Sequence, residues 1–340
     1  MQDSIKERAR VVAGEHAARA IGAVRGGRQS DDQKPRRGIA ERRQRLAPVF
    51  PIPIRAPFYL RHVLAVRPQP GAAAASDDFL LQQIQSGTIQ PMQTPFRLDG
   101  RTALVTGGAS GIGEATCRAL SGAGASVIIV DIDRDRANAL ARELPKASAV
   151  ILDITDEPAV AKALQALPGL DLLVNNAGIG LVGNVEETDL ADFQRLFRVN
   201  VEGMFLMTKH AMPLLVQSKG SIVNIGSVAG LVGVKKRFAY CATKGAVVAM
   251  TRQIAVDYPT QVRVNCICPG TVDTPFVEAY LEKYHKHEKE KVRGELNQRQ
   301  PVGRLGRPDE IAHLALYLCS KEAEFVNGSL VPIDGGWTAA

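Results

Sequence analysis

The sequence predicts an α/β domain built on a mostly parallel sheet with helices on both faces, and three observations carry that prediction. From Leu98 onward, short and nearly continuous apolar runs alternate with amphipathic stretches, the pattern of strands covered on both sides by crossover helices. A glycine-rich turn, Thr106-Gly107-Gly108-Ala109-Ser110-Gly111-Ile112-Gly113, separates the first apolar run from the first helical stretch. An aspartate, Asp131, ends the second run, 18 residues after Gly113.

The elements follow in order. TALVTG (102–107) is the first strand, GIGEATCRALSGAG (111–124) the first helix and SVIIVD (126–131) the second strand. A helix from Arg134 to Leu144 leads to SAVILDIT (148–155), and a further helix to LDLLVNNAG (170–178). GSIVNIGS (220–227) and VRVNCICPG (262–270) are the later strands. Right-handed crossovers between such strands give a doubly wound, Rossmann-type domain. Between these last two, FAYCATKGAV (238–247) reads as a helix that places Tyr240 and Lys244 on one face, one turn apart. The pair is either a proton donor with its electrostatic tuner or a surface pair without a role. After Gly270, the segment at about 275–305 reads as two short helices forming a substrate lid.

Each part of the glycine turn has a physical use. Gly107 makes the sharp turn off the strand, Gly111 lets backbone approach a cofactor's phosphates, and Gly113 permits close helix–strand packing. The helix start then offers free N–H groups and a positive dipole end to a pyrophosphate. Asp131 stands where a carboxylate accepts hydrogen bonds from the adenosine ribose and repels a 2′-phosphate. Gly108, Ala109 and Ser110 supply no cation for such a phosphate, so NAD is expected over NADP; Arg134 is a mild counter-signal.

Charge and cysteines narrow the class. Of 42 basic and 35 acidic residues, 15 and 8 fall in residues 1–95, leaving 27 of each in 96–340. The basicity therefore belongs to the N-terminal stretch, and the globular part carries no electrostatic footprint for nucleic acid. Residues 1–95, with RRGIAERRQR, APVFPIPIRAPF and PQPGAAAAS, lack sustained periodicity. They read as a disordered basic extension, of which a start at Met92 would omit residues 1–91. Asp3, Glu7, Glu15, Asp31 and Asp32 are too many acids for a transit peptide, and no secretory core is present. Five cysteines without framework spacing suit reduced thiols in a cytoplasmic protein. Cys266 and Cys268 point to one face but lack a second ligand pair, so no metal is expected. No run of 18 apolar residues predicts a membrane span. His285 and His287, in a lysine-rich helix, read as solvated.

Ser227 lies 13 residues before Tyr240, Asn200 lies in FRVNVEGMF, and NNAG spans Asn175–Gly178. With T-G-x-x-x-G-x-G, Y-x-x-x-K and Pro269-Gly270, these occur in an order and spacing that resembles the short-chain dehydrogenase/reductase family, over about residues 98–340. The resemblance implies one catalytic domain on a doubly wound, mostly parallel seven-stranded sheet, and a homotetramer. It implies Tyr240 as general acid/base, and Lys244 as the group that lowers the phenol's pKa from ~10 and binds the nicotinamide ribose. Ser227 would donate to the reacting oxygen, and Asn200 would hold a water linking Lys244 to solvent. Ser110, Ile112, Asp153, Ile154, Asn175, Ala177 and Gly178 would line the adenosine side, and Pro269, Gly270, Val272 and Thr274 the nicotinamide and phosphate side. Asn175 also reads as a structural tie between strands, a role that coexists with cofactor contact. A non-catalytic NAD-sensing regulator is the remote alternative, which the four intact catalytic residues oppose.

Within that family, CPGTVDTP, GRLGRPDEIA and VPIDGGW are most similar to 2-keto-3-deoxy-L-fuconate (or rhamnonate) 4-dehydrogenases and to cytosolic-type (R)-3-hydroxybutyrate dehydrogenases. Both groups take hydroxy acids. Arg237, three residues before Tyr240, and Arg299 with Gln298 in the lid can supply a carboxylate clamp; as solvated charges they would do nothing. Trp337, the only tryptophan, is expected against a partner subunit.

Overall fold

The computed structural model describes residues 95–340, so the expectation of a disordered extension over 1–95 lies almost entirely outside the described residues. Seven strands form one sheet: β1 (Thr102–Thr106), β2 (Ser126–Asp131), β3 (Ala147–Ile151), β4 (Leu172–Asn175), β5 (Ser221–Ile225), β6 (Arg263–Pro269) and β7 (Leu330–Ile333). Their order is β3-β2-β1-β4-β5-β6-β7, and all six pairings are parallel. Except for β2, which matches its run at 126–131, the strands are shorter than the apolar runs that announce them, and the last residues of those runs leave the ladder at the carboxyl edge.

Helices cover both faces: α1 (Gly111–Gly122), α2 (Arg134–Glu143), α3 (Glu157–Gln165), α4 (Leu190–Phe197), α5 (Met204–Ser218), α6 (Phe238–Asp257), α7 (Pro275–His285), α8 (Lys289–Gln298) and α9 (Pro308–Cys319). Side-chain caps start two of them: Asp133 accepts from the Arg136 amide, and Asp156 accepts from the Ala159 amide with Pro158 in the first turn, an arrangement that satisfies otherwise orphaned donors. A π-helical turn, Arg198–Gly203, joins α4 to α5.

Strand alternation builds two cores from one run. On β1, Ala103 and Val105 join Leu120, Ile129, Ile311 and Leu318 on one face. Leu104, on the other, joins Leu173, Met207, Leu215 and Ile222. Full burial of each large aliphatic contributes roughly 1.5–3 kcal/mol, and burial on both faces is what the continuous runs encode. Among the described residues, no helix is long and apolar enough to cross a membrane.

Between β1 and β4 the chain direction of the crossovers reverses, because β2 and β3 extend the sheet one way and β4 to β7 the other. Loops leaving adjacent strands at such a switch point diverge and open a crevice at the carboxyl ends.

Candidate active site

A cleft of about 490 Å³ occupies that crevice. Its first wall is the glycine turn. Gly107 has φ +60°, a left-handed conformation that costs glycine nothing. A Cβ on Gly113 would lie 2.0 Å from the Gly107 carbonyl oxygen, so the start of α1 can rest against the turn only through glycine. Gly107, Ser110, Gly111 and Ile112 line the cleft, whereas Gly113 packs behind it. Ser110 caps α1 without a side-chain hydrogen bond, and the first intrahelical bond of the turn runs from Glu114 to Ser110. The N–H groups of α1's first turn are thus available to an anion.

Asp131, at the tip of β2, lines the same cleft. Its carboxylate accepts from the Ala109 amide at 2.9 Å and the Asp133 amide at 3.0 Å. Two backbone donors fix it, and an ionised carboxylate retains further acceptor positions for ribose hydroxyls. Asp153, Ile154, Ala177 and Gly178 stand along the same side, and Pro269, Gly270, Val272 and Thr274 along the other.

Asn175 does not join them. It is buried in β4, where its Nδ2 donates to Thr208 Oγ1 at 3.0 Å and Asn224 Oδ1 at 2.9 Å. Asn224 in turn donates to Thr251 Oγ1. The side chain is a tie between sheet and helices, as the sequence also allows, and Asn175 is not among the residues lining the cleft. Its neighbour Asn176 takes the place. Asn176 lines the cleft, and its Nδ2 donates to the Thr106 and Gly107 carbonyls, both at 2.9 Å. Successive residues of a strand point to opposite sides, so a one-residue error in the Asn-Asn pair exchanges a core role for a site role.

The chemical end of the cleft is made by Ser227, Tyr240 and Lys244, all lining it. Ser227, just past β5, accepts the Ala229 amide at 3.1 Å, which leaves its hydroxyl hydrogen free to donate. Tyr240 and Lys244 project from α6 on one face, with the ammonium 5.8 Å from the phenol ring centroid. Lys244 is buried, and its Nζ donates to the Ile225 carbonyl at 2.8 Å. One bond leaves donors of the ammonium unspent. Asn200, in the π-helical turn, is buried beside this group rather than in the cleft. Its side-chain amide accepts from the Ile179 amide and donates to the Ile179 carbonyl, at 2.8 and 2.9 Å. A third bond, from Nδ2, reaches Thr243 Oγ1 on α6.

Over the cleft lie α7 and α8, where the sequence places the lid. Arg237, Arg299, Phe276, Tyr280 and Trp337 line this part, and Gln298 does not. Gln298 is exposed, one helical step from Arg299. Arg237 is half-buried and donates to the Leu181 carbonyl at 3.3 Å. Burial pushes its guanidinium below the usual value, and the nearby Arg299 adds to that. Neither arginine has a carboxylate partner among the described residues. Phe276, Tyr280 and Trp337 were not legible as site residues, because nothing local distinguishes them from core aromatics. Trp337, expected against a partner subunit, lines the cleft. His285, read as solvated, is tied to Tyr280 and Glu288. Cys266 and Cys268 are buried with their sulfurs 3.8 Å apart.

Known proteins resemble this chain over its C-terminal part. A family model described as enoyl-(acyl carrier protein) reductase matches residues 107–338. A meso-2,3-butanediol dehydrogenase of Serratia marcescens is 38% identical over 252 residues, covering 72% of this chain and 97% of the relative. A 2-keto-3-deoxy-L-fuconate dehydrogenase of Xanthomonas campestris is 40% identical over 255 residues, covering 74% of this chain and 85% of the relative. The crystal structure of a levodione reductase superposes with a TM-score of 0.70 at 33% identity, over 72% of this chain and all of that one.

Proposed function

The chain belongs to the short-chain dehydrogenase/reductase family, and from that premise we propose that it is an NAD-dependent dehydrogenase of a hydroxy acid, oxidising a secondary alcohol. The best candidate is a 2-keto-3-deoxy sugar acid such as 2-keto-3-deoxy-L-fuconate or -rhamnonate, oxidised at C4. (R)-3-hydroxybutyrate is the alternative acid. The observation that carries the acid is Arg237: a half-buried guanidinium in the cleft, three residues from Tyr240, with no carboxylate beside it among the described residues. An uncompensated buried charge is costly unless a partner arrives, and a guanidinium takes a carboxylate in bidentate fashion.

The residues present fit a nicotinamide dinucleotide. The glycine turn excludes a side chain where α1 meets it, the helix start offers unspent N–H groups, and Asp131 presents a fixed carboxylate that suits NAD and opposes a 2′-phosphate. When bound, the nicotinamide accepts or supplies the hydride. The rest is done by the chain. Ser227 donates its hydroxyl hydrogen to the substrate oxygen and fixes it beside Tyr240. Tyr240 takes the alcohol proton during oxidation and returns one during reduction. Lys244, held by the Ile225 carbonyl, gives its remaining donors to the ribose. Asn200 locks the Ile179 segment against α6 and thereby holds the backbone around the proton path. Arg237 and Arg299 bind the carboxylate end.

A neutral vicinal diol is the second reading, favoured by the Serratia relative's activity and by the aromatic lining from Phe276 and Trp337. Arg237→Ala separates the two. It should lower kcat/KM for the acid roughly 10–150-fold, the equivalent of one charge-assisted pair at ~1.5–3 kcal/mol, and leave a neutral alcohol of the same size nearly unchanged. Equal loss for both would favour the diol. A cytoplasmic homotetramer completes the reading, supported by exposed Phe205, Phe238 and Val256 on α5 and α6 and by five free thiols.

A further inference from the structure

We propose that Tyr280 is a positioning residue for substrate recognition: its ring aims Arg237 at the substrate carboxylate, and His285 and Glu288 hold that ring from outside the cleft. This rests on the hydroxy-acid reading above and adds the device that makes Arg237 selective.

Arg237 precedes α6 and reaches the cleft on a long, flexible stem. Among the described residues, the guanidinium's one hydrogen bond, to the Leu181 carbonyl, is long at 3.3 Å. What fixes the guanidinium plane is Tyr280 of α7, whose ring centroid lies 4.5 Å from the guanidinium carbon, well within cation–π range. A planar cation lying on a ring face keeps its edge free, and the edge is where a carboxylate binds in bidentate fashion. The ring thus removes rotamer freedom from Arg237 before an anion arrives, and affinity rises because less order remains to be imposed.

The ring itself is gripped. The Tyr280 hydroxyl lies 2.9 Å from His285 Nε2, and His285 Nδ1 lies 3.1 Å from Glu288 Oε1. A carboxylate only accepts, so Nδ1 carries the hydrogen, and in the neutral ring Nε2 accepts from the Tyr280 hydroxyl. His285 is the last residue of α7 and Glu288 caps α8. The chain of contacts therefore crosses the corner between the two lid helices and ends in the cleft.

The test uses the full chain saturated with NAD and titrated calorimetrically with acetoacetate or acetoacetamide. A ketone with oxidised cofactor cannot turn over, so binding alone is read, and the two probes differ only in charge. The wild type should prefer acetoacetate by at least about tenfold, and Arg237→Ala should abolish that preference. Tyr280→Leu should lower it roughly 3–30-fold, the range of a cation–π contact. Tyr280→Phe keeps the ring and its packing and loses only the grip of His285; it should lower the preference by a smaller factor, with His285→Ala matching it. Should the wild type prefer neither probe, the hydroxy-acid reading fails and this proposal with it. Should Arg237→Ala abolish the preference while Tyr280→Leu, Tyr280→Phe and His285→Ala leave it intact, only the role of Tyr280 is overturned.

Discussion

Removing the Tyr240 hydroxyl alone isolates the proton from everything else in the site. Tyr240→Phe should lower kcat by ~10²–10⁴-fold, the usual contribution of a positioned acid/base, while NADH still binds with little change in fluorescence titration. A variant retaining more than about a tenth of kcat would remove Tyr240 from the proton path. Asp131 makes a second residue-scale prediction. Its carboxylate is fixed by two amides, so Asp131→Ala combined with Ile132→Arg should turn the ratio of kcat/KM for NAD over NADP toward NADP. A wild type already indifferent to the two cofactors would contradict the role assigned to the carboxylate. Residue-level reading of the sequence reached these side chains because each stands in a local pattern of fixed spacing. It did not single out Asn176, which lines the cleft beside the buried Asn175, because which asparagine faces the cleft depends on where β4 ends, and strand ends are set by pairing partners far away in sequence.

At the level of elements, the glycine turn and the buried polar tie make opposite predictions. Gly113→Ala would place a Cβ against the Gly107 carbonyl, with α1 forced away from the turn. It should weaken NADH binding at least as much as it lowers stability. Asn175→Ala, by contrast, strips partners from Thr208 and Asn224 in the core and should cost about 1–3 kcal/mol. That is a fall of several degrees in Tm, with NADH affinity retained in the folded fraction. If Asn175→Ala abolished cofactor binding without loss of stability, the tie would be the wrong account. Strands and crossover helices were legible as apolar runs and amphipathic periods, since both arise from local burial. The content of the lid was not. Tyr280 meets Arg237 across 43 positions of sequence, and no period or spacing encodes such a contact.

For the whole molecule, the distribution of charge and of matched sequence divides the chain at the same place. The excess of base lies in residues 1–95, the sheet begins at Thr102, and the family match spans 107–338. A chain beginning at Met92 should therefore keep the kcat and Tm of the full one; loss of either would give the N-terminal stretch a part in the fold. Trp337 illustrates what the fold adds to the sequence, since it brings a C-terminal tryptophan to the cleft. The most direct test of the central claim is a steady-state comparison of NAD reduction with 2-keto-3-deoxy-L-fuconate, (R)-3-hydroxybutyrate and meso-2,3-butanediol, on the wild type and on Arg237→Ala. We expect one of the acids to exceed the diol in kcat/KM by at least about tenfold with NAD, and Arg237→Ala to erase that margin. A diol oxidised as well as either acid, with a margin indifferent to Arg237, would contradict the assignment.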